Sequence, residues 1–385
     1  MDSPGRYLTP ATMRDHDVAE RASTPLELLF DLCFVVAVAV LAAELHHGVA
    51  EGHGLEATLT YSALFVPLWW AWMSYTWFAT AFSHDDPQTR LLTLLQMGGV
   101  LAVAAAVPSA VAGDLLAFAV AYALMRLPLV LQWLRAAHDD PAHRAFALTY
   151  AVGSVLAQVL WLLGAAAHGA PRWVAFIVAL GVELATPVLA VRRSPDRVFH
   201  PGHIAERYGL FTIIVLGETI LAVSVGLQEV LAGEGDVAHA AVVVGAALVL
   251  AFGLWWVYFD ALGRDGLTRN RRAAFTWGYG HYVLYASVAA LGAGVQVQLD
   301  DHALPDPVRA ASVAAPVALS LAAIAWLQVV ANRRTGDAVR LIAGAGLALG
   351  VLASGWWAPA VVIDLALAAI VVGVVLAEVR SRRAA

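Results

Sequence analysis

Leu26 to Leu45 read LELLFDLCFVVAVAVLAAEL, twenty residues of which Glu27, Asp31 and Glu44 are the only ionisable carboxylates. A helix needs about 20 mostly apolar residues to cross a hydrocarbon core of about 30 Å, so the stretch is read as a membrane span. The rest of the chain repeats that pattern. Of 385 residues 61% are hydrophobic and 14% charged, with a mean hydropathy of +0.73. Soluble domains carry about 45–50% apolar and about 25% charged residues. An ordinary soluble enzyme, a disordered chain and a collagen are therefore excluded. The formal net charge of −6 offers no basic face for nucleic acid. Cys33 is the single cysteine, which excludes an internal disulfide and a multi-cysteine metal site.

Runs of comparable length, bounded by charges, Gly or Pro, predict an all-α polytopic bundle of about twelve spans. They cover roughly 26–45, 59–82, 91–111, 115–135, 145–167, 171–191, 208–231, 237–260, 277–299, 308–331, 339–355 and 357–379. The eleventh is short and rich in glycine (Gly344, Gly346, Gly350) and can be read as a half-span. Residues 1–25 are polar, with Arg6, Arg14, Asp15, Asp17, Glu20 and Arg21, and read as a cytoplasmic tail rather than a cleaved signal peptide. All 23 basic residues are arginine. With both termini inside, the tails and inner segments take nearly all of them, including Arg90, Arg192, Arg193, Arg197, Arg264, Arg269, Arg333 and Arg334. The outer loops keep only Arg172 and Arg309, and Arg126 lies within a span. Positive charge accumulates in cytoplasmic loops, so this pattern places both ends on the cytoplasmic side of the membrane.

Leu68-Trp69-Trp70 in the second span recurs 186 residues later as Leu254-Trp255-Trp256 in the eighth. Six spans per half is an even number, so duplicated halves share orientation as parallel repeats. The expected organisation is a tail at 1–25, a first six-helix repeat at 26–191, a cytoplasmic linker at 192–207, a second six-helix repeat at 208–379 and a tail at 380–385. Coincident aromatic packing is the alternative explanation of the Trp pairs.

Ionisable groups inside a span are costly and tend to face the bundle interior, pair, and mark a functional path. Arg126, Glu183 and Glu218 each lie about ten to twelve residues into their spans, near the midplane, and are expected to form one hydrogen-bonded cluster. Glu27 and Asp31, at i and i+4, share a face of the first helix. Pro128, two residues past Arg126, is expected to open its helix. A static salt-bridge clamp accounts for these charges as readily as a proton- or cation-handling site.

His200-Pro-Gly-His203-Ile-Ala-Glu206-Arg207 leads into the seventh span. His200, His203 and Glu206 are weak candidate metal ligands, because the full spacing of a zinc site is lacking; an interfacial cap with solvated histidines is the plainer reading. Trp69, Trp70 and Trp72 read as core or interface anchors. There is no phosphate-binding loop, no dinucleotide glycine fingerprint, no HExxH and no GxSxG.

Thr24-Pro-Leu-Glu27-Leu-Leu-Phe-Asp31-Leu-Cys-Phe-Val35 resembles the first-helix signature of the bacterial low temperature requirement A proteins. So does His203-Ile-Ala-Glu206-Arg207-Tyr-Gly-Leu-Phe-Thr-Ile-Ile-Val-Leu-Gly-Glu218. The resemblance runs from about residue 20 to about 380 and implies a multi-pass membrane protein, with no assigned reaction or cofactor. It directs attention to Glu27, Asp31, His203, Glu206, Arg207 and Glu218.

The expected candidate path is thus Glu27, Asp31, Arg126, Glu183, Glu206, Arg207 and Glu218. Three functions stay open. One is a transporter or channel for a small ion or small molecule. The second is an intramembrane enzyme acting on a lipid or isoprenoid, and the third a sensor or scaffold without turnover. The lipid bilayer is the one partner the composition requires.

Overall fold

The computed structural model describes residues 10–14, 22–82, 85–194, 198–233, 236–262, 267–268, 271–300, 304–332 and 335–384. Arg6, Asp15, Asp17, Glu20, Arg21, Arg197, Arg264, Arg269, Arg333 and Arg334 lie outside the described residues. Among the described residues the protein is all helical. The long helices are α1 (Pro25–Ala50), α2 (Gly54–Phe82), α3 (Pro87–Val111), α4 (Leu115–Asp139), α5 (Arg144–Ala166) and α6 (Ala170–Val191). They continue as α7 (Pro201–Ala232), α8 (Val237–Ala261), α9 (Arg271–Leu299), α10 (Asp306–Leu327), α11 (Thr335–Ser354) and α12 (Ala360–Ala384). One π-turn, Gln328–Asn332, extends α10.

Ten of these twelve are long and apolar enough to cross a membrane. The two that fall short are informative. α2 carries Trp69, Trp70, Trp72, Trp77, Tyr61 and Tyr75 with several Ser and Thr, so its burial is aromatic rather than aliphatic. In α11 the apolar part is confined to Ala338–Ser354. Large apolar side chains such as Leu124 (62% exposed) and Ile177 (70%) point outward along the spanning helices. In water such surface costs about 25 cal/mol per Å². In lipid it is matched to its solvent, and the chain is a multi-pass membrane protein.

Local signals set the helix ends. At α3, Asp86 Oδ1 accepts the Thr89 N–H at 2.8 Å and Pro87 occupies the first turn, the expected N-terminal chemistry. Thr24 and Glu27 form a capping box at α1. The Glu27 carboxylate accepts from Thr24 N (2.7 Å) and Thr24 Oγ1 (3.0 Å), and Glu27 N donates back to Thr24 Oγ1 (3.3 Å). Gly52 and Gly113, with φ of 86° and 96°, follow α1 and α3, where a left-handed residue ends a helix at least cost in glycine.

The chain divides into two compact units, 1–40 with 67–207, and 41–66 with 208–385. The division passes inside α1, α2 and α7. In the first unit α3 packs on α4, α4 on α5 and α5 on α6. In the second, α9 packs on α10, α10 on α11, and α12 on both α8 and α11.

Three expectations change. α7 begins at Pro201, seven residues before the span read from hydropathy, because buried partners satisfy the charges of its first turns. α4 runs unbroken through Pro128, one lost backbone hydrogen bond being insufficient to open a helix packed on both neighbours. The two Leu-Trp-Trp triplets sit in different surroundings: Trp69 and Trp70 are 4% and 3% exposed, Trp255 and Trp256 44% and 45%. Their shared sequence therefore does not correspond to a shared packing role.

Candidate functional site

In the first unit, the face of α1 that carries Glu27 and Asp31 meets the first two turns of α7. His203 Nε2 lies 3.1 Å from Glu27 Oε1. Arg207 Nη2 donates to Asp31 Oδ1 at 2.5 Å and to Thr76 Oγ1 at 3.4 Å, while its Nη1 stands 3.6 Å from Glu27 Oε1. Trp72 Nε1 donates to Asp31 Oδ1 at 2.7 Å. The Arg207 guanidinium carbon sits 5.9 Å from the centre of the Tyr75 ring, within cation–π range, and Phe30 packs on the other side of the site against Tyr75. None of Glu27, Asp31, His203 or Arg207 is more than 1% exposed.

Four ionisable side chains so placed cannot be a surface ion pair. Removing each from water costs several kcal/mol, returned only through mutual attraction and hydrogen bonds. The charge count is the telling feature. With His203 protonated the group holds two positive and two negative charges; with His203 neutral it carries one net negative charge, which favours taking up a proton. Geometry adds a location. Both donors to Asp31 converge on Oδ1, and among the described residues Oδ2 has no hydrogen-bond partner. An uncommitted carboxylate oxygen in a dry site is where a proton or small cation is held most strongly.

The i, i+4 expectation for Glu27 and Asp31 thus meets a partner that hydropathy put in a loop. Glu206 lies elsewhere: its carboxylate accepts from Ser23 N at 3.2 Å on the exposed side of α7. His200 Nδ1 accepts the His203 backbone N–H at 3.1 Å, and the His200 N–H donates to Thr80 Oγ1 at 3.0 Å. His200, His203 and Glu206 therefore take separate partners. Among the described residues no group of three or more His, Cys, Asp or Glu side chains is arranged to hold a metal ion.

Arg126 and Glu183 do pair, in the core of α4, α5 and α6, at 3.4 Å. Gln158 Nε2 donates to Glu183 Oε1 at 3.1 Å, and Tyr122 OH stands 3.5 Å from the same oxygen. Arg126 also reaches Ser154 Oγ at 3.5 Å. Glu218 belongs to the second unit. There it is buried, its backbone lies against Gly292 of α9, and it makes no hydrogen bond or ion pair among the described residues of that unit. Depth along a helix brought the three into one expected cluster; depth says nothing of which neighbour a residue faces.

Sequence reasoning took Trp72 only as an anchor and passed over Thr76, Tyr75, Tyr122, Ser154 and Gln158. Neutral polar groups in a span leave little trace in hydropathy, and Trp72 looks like any anchoring tryptophan. It also passed over the charged lock just outside the spans. Arg135 forms an ion pair with Asp86 and donates to Thr89 Oγ1 at 3.2 Å. Burial works to raise the Asp86 pKa, but the Arg135 guanidinium and the Thr89 N–H outweigh it and hold the carboxyl down at about 2. Asp139 and Asp140 accept backbone N–H groups of Ala11 (2.9 Å) and Met13 (2.8 Å), which fastens the segment 10–14 to the end of α4.

Comparison with known proteins places this architecture. A protein of Rhizobium meliloti (strain 1021), itself uncharacterized, is 31% identical over 337 residues, covering 81% of this chain and 78% of that protein. The family described as bacterial low temperature requirement A protein matches residues 22–376, a range that takes in α1, α7 and every residue of the buried charge cluster. Helices, charges and sequence agree in extent, and the chain belongs to the bacterial low temperature requirement A (LtrA) family.

Proposed function

We propose that the protein is a transporter- or channel-like membrane protein in which the Glu27–Asp31–His203–Arg207 cluster holds and exchanges a proton as part of ion movement. The observation that carries this reading is the cluster's composition. A pure packing clamp needs one cation per carboxylate with every lone pair met. Here the second cation in contact with the carboxylates is a histidine, charged only when it holds a proton, and one buried oxygen of Asp31 has no hydrogen-bond donor among the described residues. Intramembrane ionisable groups of this kind are associated with proton relays and ion pathways. Glu218, buried and without an ionic partner among the described residues of its unit, is a second candidate for a titrating carboxylate.

The accompanying layout is twelve spans with both termini cytoplasmic, arranged as two six-helix halves, 26–191 and 208–379, in parallel orientation. The arginine asymmetry supports the orientation. Among the described residues, the six long helices that end by Val191 and the six that begin from Pro201 onward support the halves.

The test is flux. Purified protein is reconstituted into liposomes with a trapped pH dye, and proton and alkali-cation gradients are imposed beside empty liposomes. Protein-dependent dissipation of one gradient is expected. Folded protein that dissipates none removes the reading.

A further inference from the structure

A separate feature lies wholly in the second unit. A cavity of about 220 Å³ runs between the end of α1, the start of α2, and α9 and α10. We propose that this cavity holds one acyl chain of a membrane phospholipid, as a built lipid site independent of the charge cluster.

Shape is the first reason. Along α9 the lining extends from Tyr282 to Val297, about 22 Å at 1.5 Å per residue, more than half of a hydrocarbon core of about 30 Å. The volume is below the about 300–1,000 Å³ typical of small-molecule pockets. Long and narrow is the form of a hydrocarbon chain.

Wall chemistry is the second. Hydroxyl groups line the cavity, yet each is committed to a backbone carbonyl. Tyr61 donates to Ala286 O at 2.8 Å and Tyr282 to Ser62 O at 2.7 Å. Ser62, Ser287 and Ser312 donate to Thr58 O, Val283 O and Arg309 O, each at 2.7 Å. With the donors spent, the lining hydroxyls offer a polar solute acceptor lone pairs alone, and most of the remaining wall is Ala, Val, Leu and Pro.

The third reason is what adjoins it. Val283 and Leu319 line the cavity and are 42% and 51% exposed inside membrane-spanning helices, so the cavity opens sideways to the bilayer. Its polar group sits at one end only. His46, near the end of α1, lies 2.6 Å from Asp300, just past α9. An apolar shaft open to lipid, with a polar mouth where the helices end, fits an amphiphile that inserts a tail and keeps its head at the interface.

The test uses the full chain in phosphatidylcholine vesicles doped with a phosphatidylcholine carrying a diazirine near the end of one acyl chain. After illumination, adducts are mapped by peptide mass spectrometry. Labelling of the lining on α9 and α10 is expected to exceed, at least threefold, labelling at Leu124 and Ile177, which face lipid without a cavity. Ala290→Phe and Ala315→Leu, on α9 and α10, fill the shaft and are expected each to cut the lining adducts at least fivefold while leaving Leu124 and Ile177 unchanged. Lining adducts no more frequent than those at Leu124 and Ile177 overturn the proposal, as do adducts unaffected by both variants. The wild-type comparison decides the matter even where a variant fails to fold.

Discussion

Replacing Arg207 by Met keeps most of the side-chain length and removes the guanidinium that faces both carboxylates. Glu27 would keep His203, its Thr24 hydrogen bonds and the charge of Arg14, and Asp31 would keep only the neutral Trp72 donor among the described residues, the Arg207 contact at 2.5 Å being lost outright. Breaking one partner of a buried pair costs about 3–5 kcal/mol, because the charge left behind is uncompensated. Asp31→Asn alone strands the guanidinium less severely, since Thr76 and Glu27 remain within reach, and about 2–3 kcal/mol is expected. In the double variant the penalty of the orphaned Asp31 disappears. The cycle should therefore show a coupling of at least about 2 kcal/mol, far outside the few tenths seen for independent sites. The assay is unfolding by SDS titration in mixed micelles, followed by tryptophan fluorescence, on wild type, both singles and the double. A loss below about 1 kcal/mol in Arg207→Met, or additivity of the two singles, would refute the buried-charge reasoning.

Other consequences are equally open to measurement. Asp86 has its pKa lowered to about 2 by Arg135 and the Thr89 N–H; a depressed folded-state value means stability present above pH 4 and lost as pH falls from about 4 to 2. At 1.36 kcal/mol per unit this limb amounts to about 2 kcal/mol, and an acid titration of the melting temperature should show it in wild type and not in Asp86→Asn. Trp72→Phe preserves ring packing but deletes the 2.7 Å donor to Asp31, so a loss of about 2 kcal/mol is expected in the SDS titration, against a negligible change if that bond is idle. In Gly294→Ala the new Cβ would stand 2.0 Å from the Ser312 carbonyl oxygen; α9 and α10 must part, costing about 1–3 kcal/mol, and a variant as stable as wild type would show that the close approach is not needed.

How much was readable beforehand differs by element. Helix number and type follow from hydropathy, because a bilayer demands long apolar helices. The pairing of Glu27 with Asp31 on one face follows from helical periodicity, and the depth of Arg126 and Glu183 anticipated their contact. Arg207 was named but its place was not. Its segment is too polar to read as a span, and its partner lies 176 residues away, a tertiary fact that local pattern does not encode. Glu218 matched Arg126 in depth, yet it belongs to another unit, which sequence depth does not report. Gln158 and Ser154, and the donor role of Trp72, were invisible because a neutral donor in an aromatic or apolar run has no periodic signature. The Trp pairs caution that a repeated triplet can carry different burial in its two copies.

The central claim is that the α1–α7 charge cluster moves a proton, and His203→Gln tests it most directly. Glutamine retains a donor for Glu27 and cannot take up a proton, so the site keeps its hydrogen bond while losing its titration. Dye-reported proton flux should be measured in proteoliposomes holding equal amounts of wild-type and variant protein, each shown to be folded by the same SDS titration. The account predicts protein-dependent flux in wild type and a drop of at least tenfold in His203→Gln; equal flux in the two would contradict it.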